Sequence, residues 1–397
     1  MKPRIFLHVG SPKTGTTFLQ QVLWSQRPVA RKQGLLLPMR SFDDHYLATL
    51  DVRGLAGKSN HPARAAGMWR RMVEQSLDWS GNVLISHELF AGASQEQARQ
   101  AMAAFPDDAE VHVVLTARDL VRQIPAEWQE HVKHRSTETF PAFVKGLRRE
   151  NPDAWFWKVQ DYPSVLSRWG GHLPPERLHV VTVPPAGTDP SLLWARFAGL
   201  LDLDPSAFEL GGSRSNTSLG YEQAELLRRV NAELGDRLPI PGPYPADVKT
   251  VFAQRVLAER RGTKFGLQGD DLDYARERGA RMAEELKALG AHVVGDLADL
   301  VPPVTEEEPV DLQALVSDDK LLAESIAALA GLLDEHRARR TERDALRRRV
   351  AHAGHIVPAK TQVKQKLVGA SERWPVLMGP RKAYVRTRDA VRSRRRG

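Results

Sequence analysis

Apolar residues cluster in four short runs bounded by turn residues, at residues 5–9, 83–86, 111–116 and 178–183. Runs of this length are typical of strands that are buried on both faces in a parallel sheet. Between these runs, apolar residues recur at helical spacing, which predicts helices over residues 17–26, 63–77, 95–104, 120–134 and 161–169. Strands that alternate with helices predict an α/β fold with a doubly wound, mostly parallel sheet.

The pattern changes at about residue 210. Residues 210–300 are predicted to be mainly helical, with helices near 222–234, 246–261 and 270–289. We therefore assign residues 1–305 to one α/β domain, residues 306–351 to a helical extension and residues 352–397 to a basic, partly disordered tail.

The extension contains a long helix, predicted over residues 318–351. Leu322, Ile326, Leu329 and Leu333 form one apolar stripe along it. A stripe of this kind predicts a helix that packs against the body of the protein or against a partner, including a second copy in a homodimer.

Composition narrows the class of protein. The chain has 397 residues, of which 42% are hydrophobic and 27% charged, values typical of a soluble globular protein with a sizeable core. The absence of cysteine excludes disulfides, thiol nucleophiles and Cys-ligated metal sites. Because no apolar stretch reaches about 18 residues and no signal sequence is visible, we expect a cytoplasmic protein.

The net charge of +8 is concentrated near the C-terminus. Residues 335–397 hold 19 of the 57 Lys and Arg residues but only 5 of the 49 Asp and Glu residues, so the rest of the chain has a small excess of acidic groups. A basic body is the usual mark of a nucleic-acid binder, and we expect no such partner here. The basic tail and Trp374 instead predict peripheral contact with the anionic inner face of a membrane, with a solvated charged helix and a disordered end as the alternative.

The first predicted strand and helix are joined by Gly10-Ser11-Pro12-Lys13-Thr14-Gly15-Thr16-Thr17. Glycines allow the backbone to approach phosphate oxygens, and the N–H groups at a helix N-terminus attract anions. The loop differs from the Walker A motif, because Thr16 follows the second glycine where that motif has lysine, and the lysine lies inside the loop as Lys13.

At these residues the chain resembles the sulfotransferases that use 3′-phosphoadenosine 5′-phosphosulfate (PAPS), whose loop after the first strand reads Pro-Lys-Ser/Thr-Gly-Thr-Thr. The resemblance covers residues 1–235 and implies a sulfuryl transfer that needs no metal, with 3′,5′-adenosine bisphosphate (PAP) as a product. It further implies that Lys13 stabilises charge on the leaving phosphate. The residues expected to bind the 5′-phosphosulfate are Ser11, Pro12, Lys13, Thr14, Gly15, Thr16 and Thr17.

The same resemblance implies a site for the 3′-phosphate. Arg118 follows the third apolar run, where the family has an arginine, with an ion pair to Asp119 or Glu127 as the alternative role. The family's serine eight residues later is Ala126 here, so a ligand must come from elsewhere. Arg214 and Ser215 are the candidates, with helix capping as the alternative for Ser215.

A catalytic base is expected after the second apolar run, where His87 and Glu88 stand and where the family has a His or a Glu. Proton removal from an acceptor hydroxyl needs a group within hydrogen-bond reach. Neighbouring residues on an extended chain point to opposite sides, so one of the two is expected to face the cleft, and Glu88 matches the family position better.

The acceptor is weakly defined by the sequence. Trp128, Trp155, Trp157 and Tyr162 could stack on a sugar or a phenol, or they could belong to the core. We therefore expect a carbohydrate, glycolipid or other small molecule with a hydroxyl or amine as the acceptor. The alternatives to a sulfotransferase are a P-loop kinase and a catalytically silent scaffold that binds PAP.

Overall fold

A computed structural model describes residues 3–58, 61–211, 218–240, 242–260, 262–303 and 310–355, with side chains to residue 350. The chain divides into two compact units, residues 1–329 and residues 330–397. The first unit contains the sheet and the candidate site. The second contains the C-terminal part of one long helix.

Within the described residues, one sheet holds six parallel strands in the order β2-β3-β1-β4-β5-β6. The strands are β1 Arg4–Gly10, β2 Leu35–Leu36, β3 Asn82–Ser86, β4 Glu110–Ala117, β5 Leu178–Thr182 and β6 His292–Val294. The four predicted strands are confirmed as β1, β3, β4 and β5. The sequence analysis missed β2 and β6, because two or three residues are too few to carry a strand pattern.

Helices cover both faces of this sheet. They are α1 Thr16–Ser25, α2 Arg27–Lys32, α3 Phe42–Val52, α4 Met68–Leu77, α5 Gln95–Met102, α6 Leu120–Lys133, α7 Phe140–Leu147, α8 Trp155–Gln160, α9 Tyr162–Gly170, α10 Ser191–Leu200 and α11 Tyr221–Leu234. A π-helix, Pro245–Leu257, follows, and then α12 Gly269–Ala288, α13 Leu312–Leu315 and α14 Asp318–His355. All predicted helices are present, with ends shifted by a few residues.

Alternate residues of β1 show why the sheet is doubly wound. Ile5, Leu7 and Val9 belong to one buried cluster, and Phe6 belongs to another. The second cluster contains apolar residues of α1 and α10, whereas the first contains those of α3 to α9. Side chains of a strand point alternately to the two faces, so both faces are covered by helices and the α/β prediction is confirmed.

The C-terminal part of the first unit differs from its prediction in two respects. The mainly helical segment 210–300 also contains β6, which pairs with β5 through His179 and His292 at the edge of the sheet. The second difference concerns the helical extension, which was predicted to be separate from the α/β domain. Leu321 and Ala328 of α14 are buried in the core of this unit. Arg260 donates two hydrogen bonds of 2.6 and 3.0 Å to Glu324.

The predicted apolar stripe of α14 lies on another face of the helix. Leu322, Ile326, Leu329 and Leu333 are each about 60% exposed, at 61%, 62%, 58% and 62%. The contact of α14 with the core of the first unit uses Leu321 and Ala328, and packing of the exposed stripe against a partner stays a prediction. None of the helices in the described ranges has both the length and the apolar character needed to cross a membrane.

Candidate functional site

Three of the predicted site segments meet at the carboxyl ends of β1, β3 and β4. The amide of Ser11 donates to the carbonyl of Thr116 at 3.2 Å, and the amide of His87 donates to the carbonyl of His8 at 3.2 Å. Because the carboxyl ends of parallel strands share one edge, the loop after β1, the turn after β3 and Arg118 after β4 lie together. This edge is where ligands bind in open α/β sheets.

Glycine is needed at both ends of the loop between β1 and α1. Gly10 has φ +125°, and a Cβ there would lie 2.8 Å from the carbonyl oxygen of Glu88. Gly15 has φ +85° and is the N-cap of α1. A larger residue at either position would be strained, and at Gly10 it would also push the loop away from Glu88. The glycine pattern therefore reflects a loop held close to the turn after β3.

Hydrogen bonds from buried side chains hold the loop between β1 and α1 in place. The hydroxyl of Ser11 donates to the carbonyl of Val159 at 2.6 Å, and that of Thr14 donates to the carbonyl of Ser11 at 2.5 Å. Gln123 and Gln160 donate to the carbonyl of Pro12 at 2.7 and 3.1 Å. These bonds hold the loop in place and occupy the hydroxyls of Ser11 and Thr14. Because the amide of Ser11 also donates to the carbonyl of Thr116, Ser11 has no donor left for a bound anion.

The N-terminus of α1 is open to such an anion. No side-chain cap bonds its first turn, where Thr16 is buried and Thr17 is exposed. Its backbone N–H groups therefore have no side-chain acceptor from the N-cap residue. Unpaired N–H groups and the helix dipole at this position attract a phosphate or sulfate group.

Lys13 is the centre of a charged cluster. Its Nζ lies 2.5 Å from the Oε2 of Glu130 on α6. The same carboxylate contacts the Nζ of Lys249 at 2.8 Å and that of Lys133 at 3.6 Å. Burial alone would raise the pKa of Glu130, but the three lysines together hold it well below its ordinary value. Three ammonium groups share one carboxylate, so the cluster has an excess of positive charge beside the loop.

A second acidic residue on the same face of α6 was not recognised from the sequence as part of the site. Glu127 is buried, and its Oε1 accepts a hydrogen bond of 3.0 Å from Gln160. Burial raises the pKa of Glu127 to about 7, against the opposing charge of Lys13. The spacing of Glu127 and Glu130 on a helix was the available signal, since residues three apart share a face.

Arg118 lies against the loop and not in the ion pair considered as its alternative role. Its Nη1 donates to the carbonyl of Lys13 at 3.2 Å, whereas Asp119 pairs with Arg122. The phenol of Tyr162 bonds the backbone carbonyl of Arg118 at 2.8 Å. Burial lowers the pKa of Arg118, and its buried Nε has no hydrogen-bond partner among the described residues. A half-buried guanidinium with an unpaired N–H is suited to an anionic ligand.

The other expected ligands of the 3′-phosphate lie outside the described residues, since Arg214 and Ser215 fall in the segment 212–217. Ala126, which replaces the serine of the family pattern, is partly buried on α6. One turn further along this helix, Glu130 faces Lys13. The helix therefore presents an acid towards the loop.

His87 and Glu88 have distinct environments. His87 is buried between the rings of Phe42 and Tyr46, each 5.6 Å away between centroids, and burial lowers its pKa. Its Nδ1 accepts a hydrogen bond of 3.2 Å from the amide of Leu89, so neutral His87 carries its proton on Nε2. Glu88 is half-buried, and its Oε2 lies 3.5 Å from Nε2 of Gln20. Glu88 has the free acceptor capacity that a base requires.

The aromatic candidates for the acceptor site separate into two groups. Trp128, Trp157 and Tyr162 are buried in the core, and the indole of Trp157 donates to the carbonyl of Leu147. Trp155 is only partly buried and contacts Arg53. Within the part of the chain that the structure describes, no group of three or more His, Cys, Asp or Glu side chains could hold a metal ion.

No protein-family model matches the chain, and no curated protein matches it. Among solved structures, a sulfotransferase from Alicyclobacillus acidocaldarius is similar to this chain, at 13% sequence identity and a TM-score of 0.40. The match covers 73% of this chain and 96% of that chain. What the site can do is therefore decided by its own residues.

Proposed function

We propose that the protein is a sulfotransferase that moves a sulfuryl group from PAPS to a hydroxyl group of a small molecule or carbohydrate. The observation that carries this proposal is the combination of Lys13, inside a glycine-bounded loop at a helix N-terminus, with the unpaired buried Nε of Arg118 at the same edge of the sheet. A donor with two separate anionic groups would satisfy both.

The residues of the loop suit the leaving phosphate of such a donor. The oxygen of the acceptor forms a bond to sulfur while the bond from sulfur to the 5′-phosphate oxygen breaks, and the electron pair stays on that phosphate. Lys13 and the backbone N–H groups of the first turn of α1 would stabilise the charge that develops there. Arg118 would hold the 3′-phosphate by charge-assisted hydrogen bonds.

Glu88 is the proposed base. It takes the proton of the acceptor hydroxyl as the new bond to sulfur forms. His87 is less suited to this role, because its Nδ1 lone pair already accepts the amide of Leu89 and its Nε2 carries a proton.

The ion pair between Lys13 and Glu130 would change partner when the donor binds. A phosphate at the loop would compete with Glu130 for Lys13. Glu130 would then still be paired with Lys249 and Lys133. The two further lysines thus allow Lys13 to move to the ligand without leaving a buried carboxylate unpaired.

The test is thermal stabilisation by PAP against ATP. A ligand that binds only the native state adds about 2.7 kcal/mol at 100 times its dissociation constant, which is visible as a rise in Tm. We expect PAP to raise the Tm of the wild type and ATP to have a much smaller effect. Lys13→Ala should fold normally, lose most of the response to PAP and lose turnover by about a hundredfold or more.

Three results would decide between this function and its alternatives. Stabilisation by ATP with magnesium but not by PAP would favour a phosphotransferase. Stabilisation by PAP without consumption of PAPS over a panel of phenols, sugars and amines would favour a silent PAP-binding protein. Near-normal turnover of Lys13→Ala at saturating PAPS would reject the role of Lys13.

A further inference from the structure

Arg53, directly after α3, is a partly buried cation without a carboxylate partner among the residues that the structure describes. Its guanidinium carbon lies 5.2 Å from the ring centroid of Trp155, and its side chain makes no hydrogen bond or ion pair with any described residue. Tyr46 and His87 are polar neighbours of Arg53. Burial lowers the pKa of Arg53, with Tyr46 acting in the opposite direction.

A glycine provides the space for the side chains of Arg53 and Trp155. Both side chains pack against Gly92, which ends the short 3₁₀ turn Glu88–Gly92. A Cβ on Gly92 would lie 2.8 Å from the Trp155 ring and 3.4 Å from the guanidinium carbon of Arg53. The pair therefore rests on the turn that begins with the proposed base, Glu88.

Aromatic side chains complete this region. Phe42 and Tyr46 are half-buried on α3 and pack against the imidazole of His87. Trp155 is a third half-buried aromatic residue in this region. These rings have faces or edges open to solvent, and such surfaces bind the apolar body of a small ligand.

The Arg53 guanidinium lies over the Trp155 ring and makes no hydrogen bond to a described residue, so its N–H groups can serve a ligand. The N–H groups of an arginine lie in the plane of the guanidinium and form a fork that binds an oxyanion through two hydrogen bonds. A partly buried Arg in this arrangement is ready to receive a carboxylate, sulfate or phosphate group.

We propose that Arg53 selects the acceptor, and that this acceptor has an apolar or aromatic body and an anionic group that binds the Arg53 fork. The acceptor role rests on the proposed sulfotransferase function, because only that function assigns Glu88 as the base. The anion preference itself rests on Arg53, Trp155 and the rings of α3. An acceptor held by Arg53 would lie beside the turn that carries Glu88.

A pair of isosteric probes tests the proposal by binding alone. The probes are 4-hydroxybenzoate, which is an anion at neutral pH, and 4-hydroxybenzamide, which is neutral and has the same shape. Their dissociation constants are measured by calorimetry with and without PAP. We expect the wild type to bind the acid at least about tenfold more tightly than the amide, the range of one charge-assisted hydrogen-bonded contact.

Variants of Arg53 test whether this residue causes the preference for the anionic probe. Arg53→Gln should bind the two probes equally, and Arg53→Lys should keep part of the preference because it keeps the charge without the planar fork. The matched control is Arg31→Gln, which removes an arginine that stacks on Trp79 at 4.8 Å, near the amino-terminal ends of the strands. This control should keep the full preference, and the Tm of each variant shows whether it is folded.

The outcomes separate this inference from the proposed function. If the wild type binds neither probe or binds both equally, or if Arg53→Gln keeps the preference, the inference is wrong even where PAP stabilises the protein. If the preference depends on Arg53 but PAP has no effect, the anion site stands and the sulfotransferase function is rejected.

Discussion

At the scale of single residues, the most informative group is Glu130, because three lysines share its one carboxylate. Its contacts with Lys13 and Lys249 join the loop to the π-helix through α6. Without Glu130, the lysines would repel one another and attract an anion more strongly. The residue therefore stabilises the empty site and competes with the ligand.

Glu130→Gln should tighten PAP binding and weaken the fold. We expect the dissociation constant of PAP to fall by about three- to tenfold at low salt, because the phosphate no longer displaces a carboxylate from Lys13. We also expect the free energy of unfolding to fall by about 1–3 kcal/mol, because the variant loses the charged hydrogen bonds of Glu130. Calorimetry and urea unfolding measure the two effects.

The matched control for this variant is Glu225→Gln. Glu225 is buried on α11, where it pairs with Arg228 at 2.6 Å and Arg229 at 3.0 Å. This control should lose stability and leave the affinity for PAP unchanged. An unchanged or weaker affinity for PAP in Glu130→Gln would contradict the competition.

The division of roles between Glu88 and His87 gives the second prediction at this scale. Glu88→Gln keeps the shape of the side chain and removes the base, so kcat should fall by about two to four powers of ten while the affinity for PAP stays the same. His87→Gln should reduce kcat much less. Turnover is measured as PAP formed from PAPS with the best acceptor of a panel of phenols and sugars. The reverse order of the two effects would move the base to His87.

At the scale of elements, α3 is fastened to the sheet by a buried histidine. The Nε2 of His45 donates to the carbonyl of Pro38 at 3.0 Å, and its Nδ1 accepts from the amide of Ser86 at the end of β3 at 3.1 Å. Burial lowers the pKa of His45 to about 4, against 6.5 in an unfolded chain. This contact places the rings of Phe42 and Tyr46 over His87.

The pH dependence of stability follows from this shift. Below pH 6.5 the unfolded chain binds a proton at His45 and the native chain does not, so stability is complete above pH 6.5 and is lost as the pH falls towards about 4. His45→Gln should flatten the fall of the free energy of unfolding over this range by about 1.4 kcal/mol per pH unit.

Urea unfolding between pH 7.5 and 4.5 measures this slope. His8 provides a second variant, since burial lowers its pKa to about 3 while its ring bonds Ser86 and Thr116. His8→Gln should flatten the same range. An unchanged slope in both variants would show that neither histidine resists protonation in the native state.

At the scale of the whole molecule, the charge distribution separates the body from the tail. The helical extension carries the basic run from Arg337 to Arg349 on α14, and the tail lies outside the described residues from residue 356 onwards. We propose that the tail rests on anionic lipid, where each basic residue contributes about 1 kcal/mol and Trp374 adds an interfacial anchor.

Co-sedimentation with vesicles tests this proposal. The full chain should bind vesicles that contain phosphatidylserine, bind less as salt is raised, and fail to bind neutral vesicles. A chain that lacks residues 352–397 should lose this binding and keep its activity on a small soluble acceptor, because none of the proposed site residues lies beyond Ser215. Equal sedimentation of both chains would reject the membrane contact.

The sequence by itself determined the features that depend on local patterns. Four strands follow from short apolar runs, and α6 and α9 follow from helical spacing, because burial of one strand or one helix face leaves its period in the chain. The loop with Lys13 and the position of Arg118 follow equally from local requirements, namely glycines for a close backbone and an arginine at the end of a strand.

Only the tertiary structure decided which distant groups meet. Lys13 and Glu130 are 117 positions apart, and their contact depends on how α6 lies over the loop. The contact between Arg53 and Trp155 also joins residues that are distant in the chain. The two short edge strands, β2 and β6, likewise form because each pairs with a longer neighbouring strand. An apolar stripe likewise does not tell which face of α14 is covered. Contacts of this kind leave no periodic signal, because they are made by the packing of whole elements and not by the residues next to them in the chain.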